Sequence, residues 1–184
     1  MDGLGRDDRV RYDTPSFAGF KASTSYIADG GGDLALTYGA RFGDLKLAAA
    51  LAYADPAGTS DIVDDQINGS VSMLHSSGFN FTFAGGIQNA KPSGKDDGKF
   101  YYGKIGYRTN VCSLGETAFA LDYGSFQDIT ANNDDADTFG AQLVQYFEEW
   151  ATEYYLGFRH YNLDREHEDY DKINSVLTGF RVKF

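Results

Sequence analysis

The sequence is poor in cysteine, proline and histidine, with one, three and three residues of each. A single cysteine excludes a disulfide framework and a cysteine-based metal cluster. Basic residues are also few: 16 Lys and Arg stand against 27 Asp and Glu. The resulting net charge of −11 argues against a nucleic-acid partner, because phosphate binding needs a basic surface. No apolar run approaches the roughly 18 residues that a transmembrane helix needs.

The first eight residues do not form a signal peptide, since they contain neither a basic nor an apolar segment. The chain is therefore expected to be either cytoplasmic or the mature or truncated form of a longer protein. Its 184 residues are enough for one domain. Phenylalanine, tyrosine and glycine are abundant, at 14, 13 and 22 residues, which indicates many short β-strands joined by tight turns.

Apolar residues recur at every second position along the whole chain, as expected for β-strands with one apolar face. In 45–53, Leu45, Leu47 and Leu51 fall on one face while Lys46 and small alanines fall on the other. The segments 79–83, 117–124 and 176–184 show the same alternation. Eleven strands are predicted at 9–17, 19–28, 33–42, 45–54, 66–75, 79–89, 99–109, 117–126, 138–147, 152–162 and 174–184.

The connections between these strands alternate between tight and long. Tight turns are predicted at 17–19, 43–44, 76–78 and 148–151, and long polar links at 28–33, 55–65, 90–98, 127–137 and 164–173. The link 110–116 is long for a tight turn. Short turns on one side and long loops on the other are typical of an antiparallel transmembrane β-barrel, whose strands of about ten residues cross the bilayer at a tilt. A soluble β-sandwich or lipocalin-like barrel also alternates and is the alternative.

Aromatic residues fall near both ends of the predicted strands, where the two interfaces of a bilayer would lie. Tyr26, Tyr53 and Tyr123 lie toward the long loops, and Phe147 and Trp150 lie toward the short turns. These residues are the predicted aromatic girdle.

The predicted polar face is rich in basic residues. Those assigned to it, as pore-lining candidates, are Arg9, Arg11, Lys21, Arg41, Lys46, Lys104, Arg108, Arg159, Arg181 and Lys183. From the acidic set, only Asp13, Asp122 and Glu153 are expected to join them, and most other acids fall in the long loops. The net charge of −11 thus averages a basic inner wall with an acidic rim.

Three segments resemble Gram-negative general porins. Residues 9–20 (RVRYDTPSFAGF) resemble the strand–turn–strand segment that follows the constriction loop of these porins. Residues 154–161 resemble their penultimate strand. Residues 179–184 (GFRVKF) resemble their C-terminal strand, whose last aromatic residue, here Phe184, is read by the barrel-assembly machinery.

The resemblance implies an outer-membrane barrel of about sixteen strands. Because an odd number of antiparallel strands cannot close, residues 1–184 are expected to be the C-terminal part of one barrel domain, with 1–8 as the tail of the constriction loop. The implied function is a diffusion channel for small hydrophilic solutes and ions, in which Arg9 and Arg11 help to shape the field in the pore. The implied partners are the lipid bilayer, lipopolysaccharide, the assembly machinery and two further copies in a homotrimer. A smaller, complete outer-membrane barrel acting as an adhesin or enzyme is a second alternative.

No catalytic activity, cofactor or metal is expected. Serine-hydrolase and zinc-protease motifs are absent, although His160 and Asp164 could pair at the barrel rim as in an omptin-like dyad. The acidic loops 132–137 and 164–171 offer oxygen ligands for Ca²⁺ but lack the spacing of an EF-hand, so solvated loops are expected there.

Overall fold

A computed structural model describes residues 8–28, 30–57 and 60–184. These residues form one eleven-stranded antiparallel sheet in which each strand pairs with its neighbours in the chain. The strands are β1 (Arg9–Asp13), β2 (Phe20–Ile27), β3 (Gly32–Phe42), β4 (Leu45–Asp55), β5 (Val63–His75), β6 (Phe79–Ala90), β7 (Gly98–Cys112), β8 (Gly115–Gln127), β9 (Asp134–Phe147), β10 (Thr152–Arg165) and β11 (Ile173–Val182). One turn of 3-10 helix, Glu148–Trp150, joins β9 to β10. The all-β meander predicted from the sequence is confirmed.

The observed strands differ from the predicted ones by one to four residues at one end or both, and two of these differences have a clear cause. β1 ends at Asp13 rather than Phe17, because Pro15 has no N–H to donate to the ladder. The predicted link 110–116 is wrong, since β7 continues to Cys112 and β8 begins at Gly115. A shift of register between Thr109 and Cys112 absorbs the extra residues, as a β-bulge does.

The turn between β1 and β2 shows how local sequence sets a tight connection. Ala18 and Gly19 both have positive φ, at 50° and 86°. Phe17 and Phe20 exchange both backbone hydrogen bonds, each at 2.8 Å. Two consecutive residues with positive φ match the twist of a two-residue hairpin, and glycine adopts this conformation without strain. The predicted tail of the constriction loop, 1–8, lies outside the described residues except for Asp8.

The strand register divides the side chains between two faces. The face that carries Leu36, Leu51 and Ile67 is called the apolar face, and the face that carries Lys21, Lys46 and Asp122 is called the polar face. Cross-strand pairs keep this division from β1 to β11, as in Leu36 opposite Leu51 and Leu121 opposite Ala141. Because side chains alternate along a strand, the alternation in the sequence fixes which face each residue occupies.

The fold has almost no apolar core. Among the described residues, Ile27 and Ala54 are the only apolar residues that are buried. The buried polar residues are more numerous and include Gln66, Gln88 and Asp122. The accessible surface is 11959 Å², against about 8,800 Å² for a compact soluble protein of 20.2 kDa. Large residues of the apolar face are open to the surroundings, such as Leu34 at 58% and Ile105 at 58%.

This distribution opposes the soluble β-sandwich. Each large apolar side chain left in water forgoes about 1.5–3 kcal/mol of burial, and over the whole apolar face the loss reaches tens of kcal/mol. A lipid environment removes that loss because it is itself apolar. In the part of the chain that the structure describes, no helix has the length and hydropathy to cross a membrane.

The predicted girdle residues lie near the two ends of the strands. Tyr26, Tyr53 and Tyr123 lie on the apolar face toward the long connections and are exposed. At the opposite end, the rings of Phe147 and Trp150 stack with their centroids 5.6 Å apart. The rings of Phe79 and Tyr107, 4.6 Å apart, lie at the same end. That these rings occupy bilayer interfaces stays a prediction.

Candidate functional site

The polar face is the candidate functional site, because it concentrates the charged side chains of the sheet. The register places every predicted basic residue on it: Arg9, Arg11, Lys21, Arg41, Lys46, Lys104, Arg108, Arg159 and Arg181, with Lys183 following in the same phase after β11. The face also carries acids that the sequence analysis missed. Asp33 and Glu116 join Asp13, Asp122 and Glu153, so the expectation of only three acids is wrong. Glu116 lies in a strand that begins at Gly115, two residues before its predicted start, and Asp33 lies where the predicted link 28–33 and the predicted strand 33–42 overlap.

The basic residues nearest the start of the described chain are paired with acids. Arg11 donates two hydrogen bonds to Asp13, at 3.0 and 3.1 Å, and Lys21 lies 3.2 Å from the same carboxylate. Arg9 lies 4.0 Å from Asp33. The charges of Arg9 and Arg11, which were the strongest candidates for shaping a field, are therefore largely compensated.

A second compensated group lies at the turn-side end of β10 and β11. Glu153 accepts hydrogen bonds from Arg181, at 2.7 Å through Nε, and from Lys183, at 2.5 Å. The Lys183 ammonium also lies 5.3 Å from the centre of the Tyr146 ring, within the range of a cation–π contact. The single carboxylate thus holds both cations against the end of the sheet.

The most buried charge of the polar face is Asp122 in β8. Its side chain is fully buried, accepting hydrogen bonds from Arg159 at 2.6 Å and Gln142 at 2.8 Å. Gly140 lies between Asp122 and Arg159 in the register. A Cβ at Gly140 would lie 2.4 Å from Asp122 Oδ2, so the ion pair spans β9 only because that position has no side chain.

The remaining four basic residues, Arg41, Lys46, Lys104 and Arg108, differ in whether an acid pairs with them. Arg108 donates to Glu116 through Nε at 2.9 Å and Nη2 at 2.6 Å. Within residues 8–28, 30–57 and 60–184, no ion pair joins Arg41, Lys46 or Lys104 to an acid. The basic residues that make no ion pair therefore lie in β3, β4 and β7, with Asp122 opposite Lys104 in the register and Asp44 lining a cavity with Arg41 and Lys46.

The long connections are tied to one another, which the sequence did not indicate. Lys95 donates to the Asp128 carbonyl at 2.8 Å, and Asn133 donates to Glu166 at 2.7 Å. At the loop-side ends of β9 and β10, Arg165 donates hydrogen bonds to both carboxylate oxygens of Asp134, at 2.5 and 2.7 Å. These hydrogen bonds hold the pKa of Asp134 below its usual value.

The histidines and the cysteine make local contacts. His160 Nδ1 lies 2.8 Å from Asn174 Oδ1, so its partner is Asn174 rather than Asp164. His75 Nδ1 lies 2.8 Å from Ser77 Oγ. Cys112 is exposed at the end of β7. Over the described ranges, no three His, Cys, Asp or Glu side chains are grouped in a way that could hold a metal ion.

Comparisons with known proteins agree with this architecture. Solved structures of the Vibrio cholerae outer-membrane protein OmpT share the fold. A form lacking loop L8 superposes with a TM-score of 0.65 at 15% identity, over 94% of this chain and 61% of that one. OmpT expressed in the outer membrane gives a TM-score of 0.58 at 16% identity, over 85% and 55%. The chain thus spans less than two thirds of these proteins.

No curated protein matches the sequence. A family model described as Gram-negative porin matches residues 2–166, most of the chain. Together with the outer-membrane barrels that share the fold, this match places the protein in the outer membrane. The chain belongs to the Gram-negative porin family.

Proposed function

We propose that this protein forms the wall of a water-filled channel through which small hydrophilic solutes and ions diffuse across the outer membrane. The observation that carries the proposal is the division of the sheet into two faces. One face presents exposed leucine, isoleucine and aromatic side chains, and the other carries ion pairs, hydroxyls and amides. A barrel with this division contacts lipid outside and water inside.

The charges support a wetted interior. Lys21, Lys46 and Arg181 are exposed on the polar face. An ionised side chain at the centre of a bilayer costs several kcal/mol, so this face is unsuited to lipid. The hydroxyls of Ser72 and Thr82, 2.9 Å apart, are equally suited to contact water.

The alternatives have less support. A soluble ligand-binding barrel needs large side chains inside, whereas the largest fully buried side chain among the described residues is Ile27. An outer-membrane enzyme of the omptin kind needs His160 beside an acid, and His160 contacts Asn174 instead. An adhesin would use the loops, but no feature of the described loops favours that role over a channel.

The channel is tested by reconstituting the full-length protein in planar lipid bilayers and measuring single-channel conductance. We expect stepwise conductance increments, and swelling of proteoliposomes in small sugars that decreases as the sugar becomes larger. A control is the same protein left unfolded in urea before dilution. Folded protein that inserts without conducting or passing sugars would refute the channel.

The proposed partners follow from the same placement. Phe184 is fully exposed at the end of the chain, where the assembly machinery could bind it. The apolar face suits lipid, and the connected loops suit contact with lipopolysaccharide. A homotrimer is part of the proposal through the family, and cross-linking of the full-length protein in native membranes tests it.

A further inference from the structure

Four basic side chains gather in the turn-side half of the polar face: Arg41, Lys46, Lys104 and Arg108, here called the turn-side basic cluster. Arg41 in β3 is directly opposite Lys46 in β4. Following the register from Lys46 leads through Leu74 and Asn80 to Gly106 in β7. Lys104 and Arg108 lie on the same face, two residues to either side of Gly106.

The side chains of the cluster line two adjoining cavities. Lys46, Lys104 and Arg108 line a cavity of about 430 Å³, together with residues as distant in the sheet as Gln142. Arg41 lines the adjoining cavity of about 340 Å³, which shares Lys46 and Arg108 with the first. Cations from three strands thus line two adjoining spaces.

The placement of Arg41 opposite Lys46 is unfavourable in itself, because like charges at directly paired positions repel. Elsewhere on the polar face the protein relieves such repulsion with an acid, as Asp13 does between Arg11 and Lys21. Here Glu116 pairs with Arg108, while Arg41, Lys46 and Lys104 make no ion pair with any described acid. Asp122 stands opposite Lys104 in the register, but its carboxylate is held by Arg159 and Gln142, and Asp44 lines the cavity beside Arg41. The repulsion is compensated if an anion from solution occupies the space.

Neutral hydrogen-bonding groups line the same cavity. Ser72 and Thr82 face it with their hydroxyls 2.9 Å apart. Asn80 lies over Gly106, where a Cβ would lie 2.6 Å from its Oδ1. Ammonium and guanidinium groups combined with hydroxyl and amide donors match the oxygen atoms of a phosphate or carboxylate better than they match chloride.

We propose that the turn-side basic cluster is a binding site for a doubly charged oxyanion, which occupies the space between Lys46, Lys104 and Arg108 while it passes through the channel. This inference rests on the proposed channel function and specifies one solute class for it. The channel then favours phosphate and dicarboxylates over cations of similar size.

The test uses the full-length protein in planar bilayers with inorganic phosphate as the probe. We expect millimolar phosphate to reduce the chloride current in a saturable way, and a dicarboxylate such as succinate to do the same. Replacing one cation in K46Q or K104Q is expected to weaken the phosphate effect roughly fivefold, since one exposed charge–charge contact is lost. The double variant is expected to shift the reversal potential toward cations.

The matched control is Lys21→Gln, which removes the same charge from the same face but from a lysine already paired with Asp13. It is expected to leave the phosphate effect unchanged. Circular dichroism confirms that each variant is folded, and titration calorimetry of the detergent-solubilised protein measures phosphate binding without conduction. Absence of conductance would refute the channel. If phosphate and succinate leave the chloride conductance unchanged, the oxyanion site is refuted. Equal weakening of the phosphate effect in K46Q and K21Q would also refute it.

Discussion

Gly140 in β9 offers the sharpest test of the polar-face structure, through the substitution Gly140→Ala. The Asp122 carboxylate lies directly above Gly140, with Oδ2 2.4 Å and Cγ 2.8 Å from the position that a Cβ would take. Carbon and oxygen atoms that are not bonded do not approach so closely. The carboxylate must therefore move, although Arg159 and Gln142 fix its position.

The size of the effect follows from these two hydrogen bonds. A hydrogen bond to a charged group contributes about 1.5–3 kcal/mol, and the loss is in the lower part of that range because the Arg159 side chain is one third exposed. Alanine in a strand gains about 0.5–1 kcal/mol over glycine through backbone entropy. The net expectation is that Gly140→Ala lowers the free energy of unfolding by about 1–2 kcal/mol.

The assay is urea unfolding of the full-length protein in lipid vesicles, followed by circular dichroism. The control is Gly157→Ala on the polar face of the neighbouring strand, where the nearest atom would lie 3.9 Å from the new Cβ. That substitution is expected to be neutral or stabilising. In an Asp122→Ala background the cost of Gly140→Ala should vanish, because the obstructing carboxylate is gone. Equal effects of the two alanine substitutions, or a cost that persists without Asp122, would refute the reasoning.

Three further predictions concern the loops and the ends of the strands. Hydrogen bonds from Arg165 lower the pKa of Asp134 in the folded protein. The Arg165–Asp134 ion pair therefore stabilises the loop-side ends of β9 and β10 at pH values above the ordinary Asp134 pKa of 3.8, and this stabilisation is lost as the pH falls through the lowered pKa. Hydrogen exchange at the Ala131 amide, which donates to Asp134 at 3.0 Å, should accelerate over that acidic interval and already be fast at pH 7 in Arg165→Gln; an unchanged rate in the variant would contradict this. Trp150 should be quenched more by lipids brominated near the headgroup than by lipids brominated near the chain end, whereas the reverse order would exclude an interfacial position. Because the short turns of such barrels face the periplasm, Cys112, exposed at the turn-side end of β7, should react with a bulky impermeant maleimide only after the outer membrane is opened, and labelling in intact cells would place these turns outside the cell.

The alternation of apolar and polar residues could be recognised in the sequence because each strand has one apolar and one polar face. Lys46 between Leu45 and Leu47 is enough to assign all three side chains. The positions of tight turns were equally local, since Ala18 and Gly19 close a hairpin through their own φ values. The prediction of a link at 110–116 was wrong because a β-bulge depends on the partner strand, and the sequence of 110–116 alone does not show how that strand pairs.

The number and order of the strands, the faces that their side chains occupy and the enrichment of bases on one face could thus be predicted from the sequence. Periodicity carries this information because neighbouring residues of a strand point in opposite directions. Which of the charges are paired could be seen only in the folded sheet. Arg11 meets Asp13 within its own strand, whereas Asp122 meets Arg159 from two strands away and only across a glycine. Pairing across strands depends on register, and the register leaves Arg41, Lys46 and Lys104 without an ion pair among the described residues.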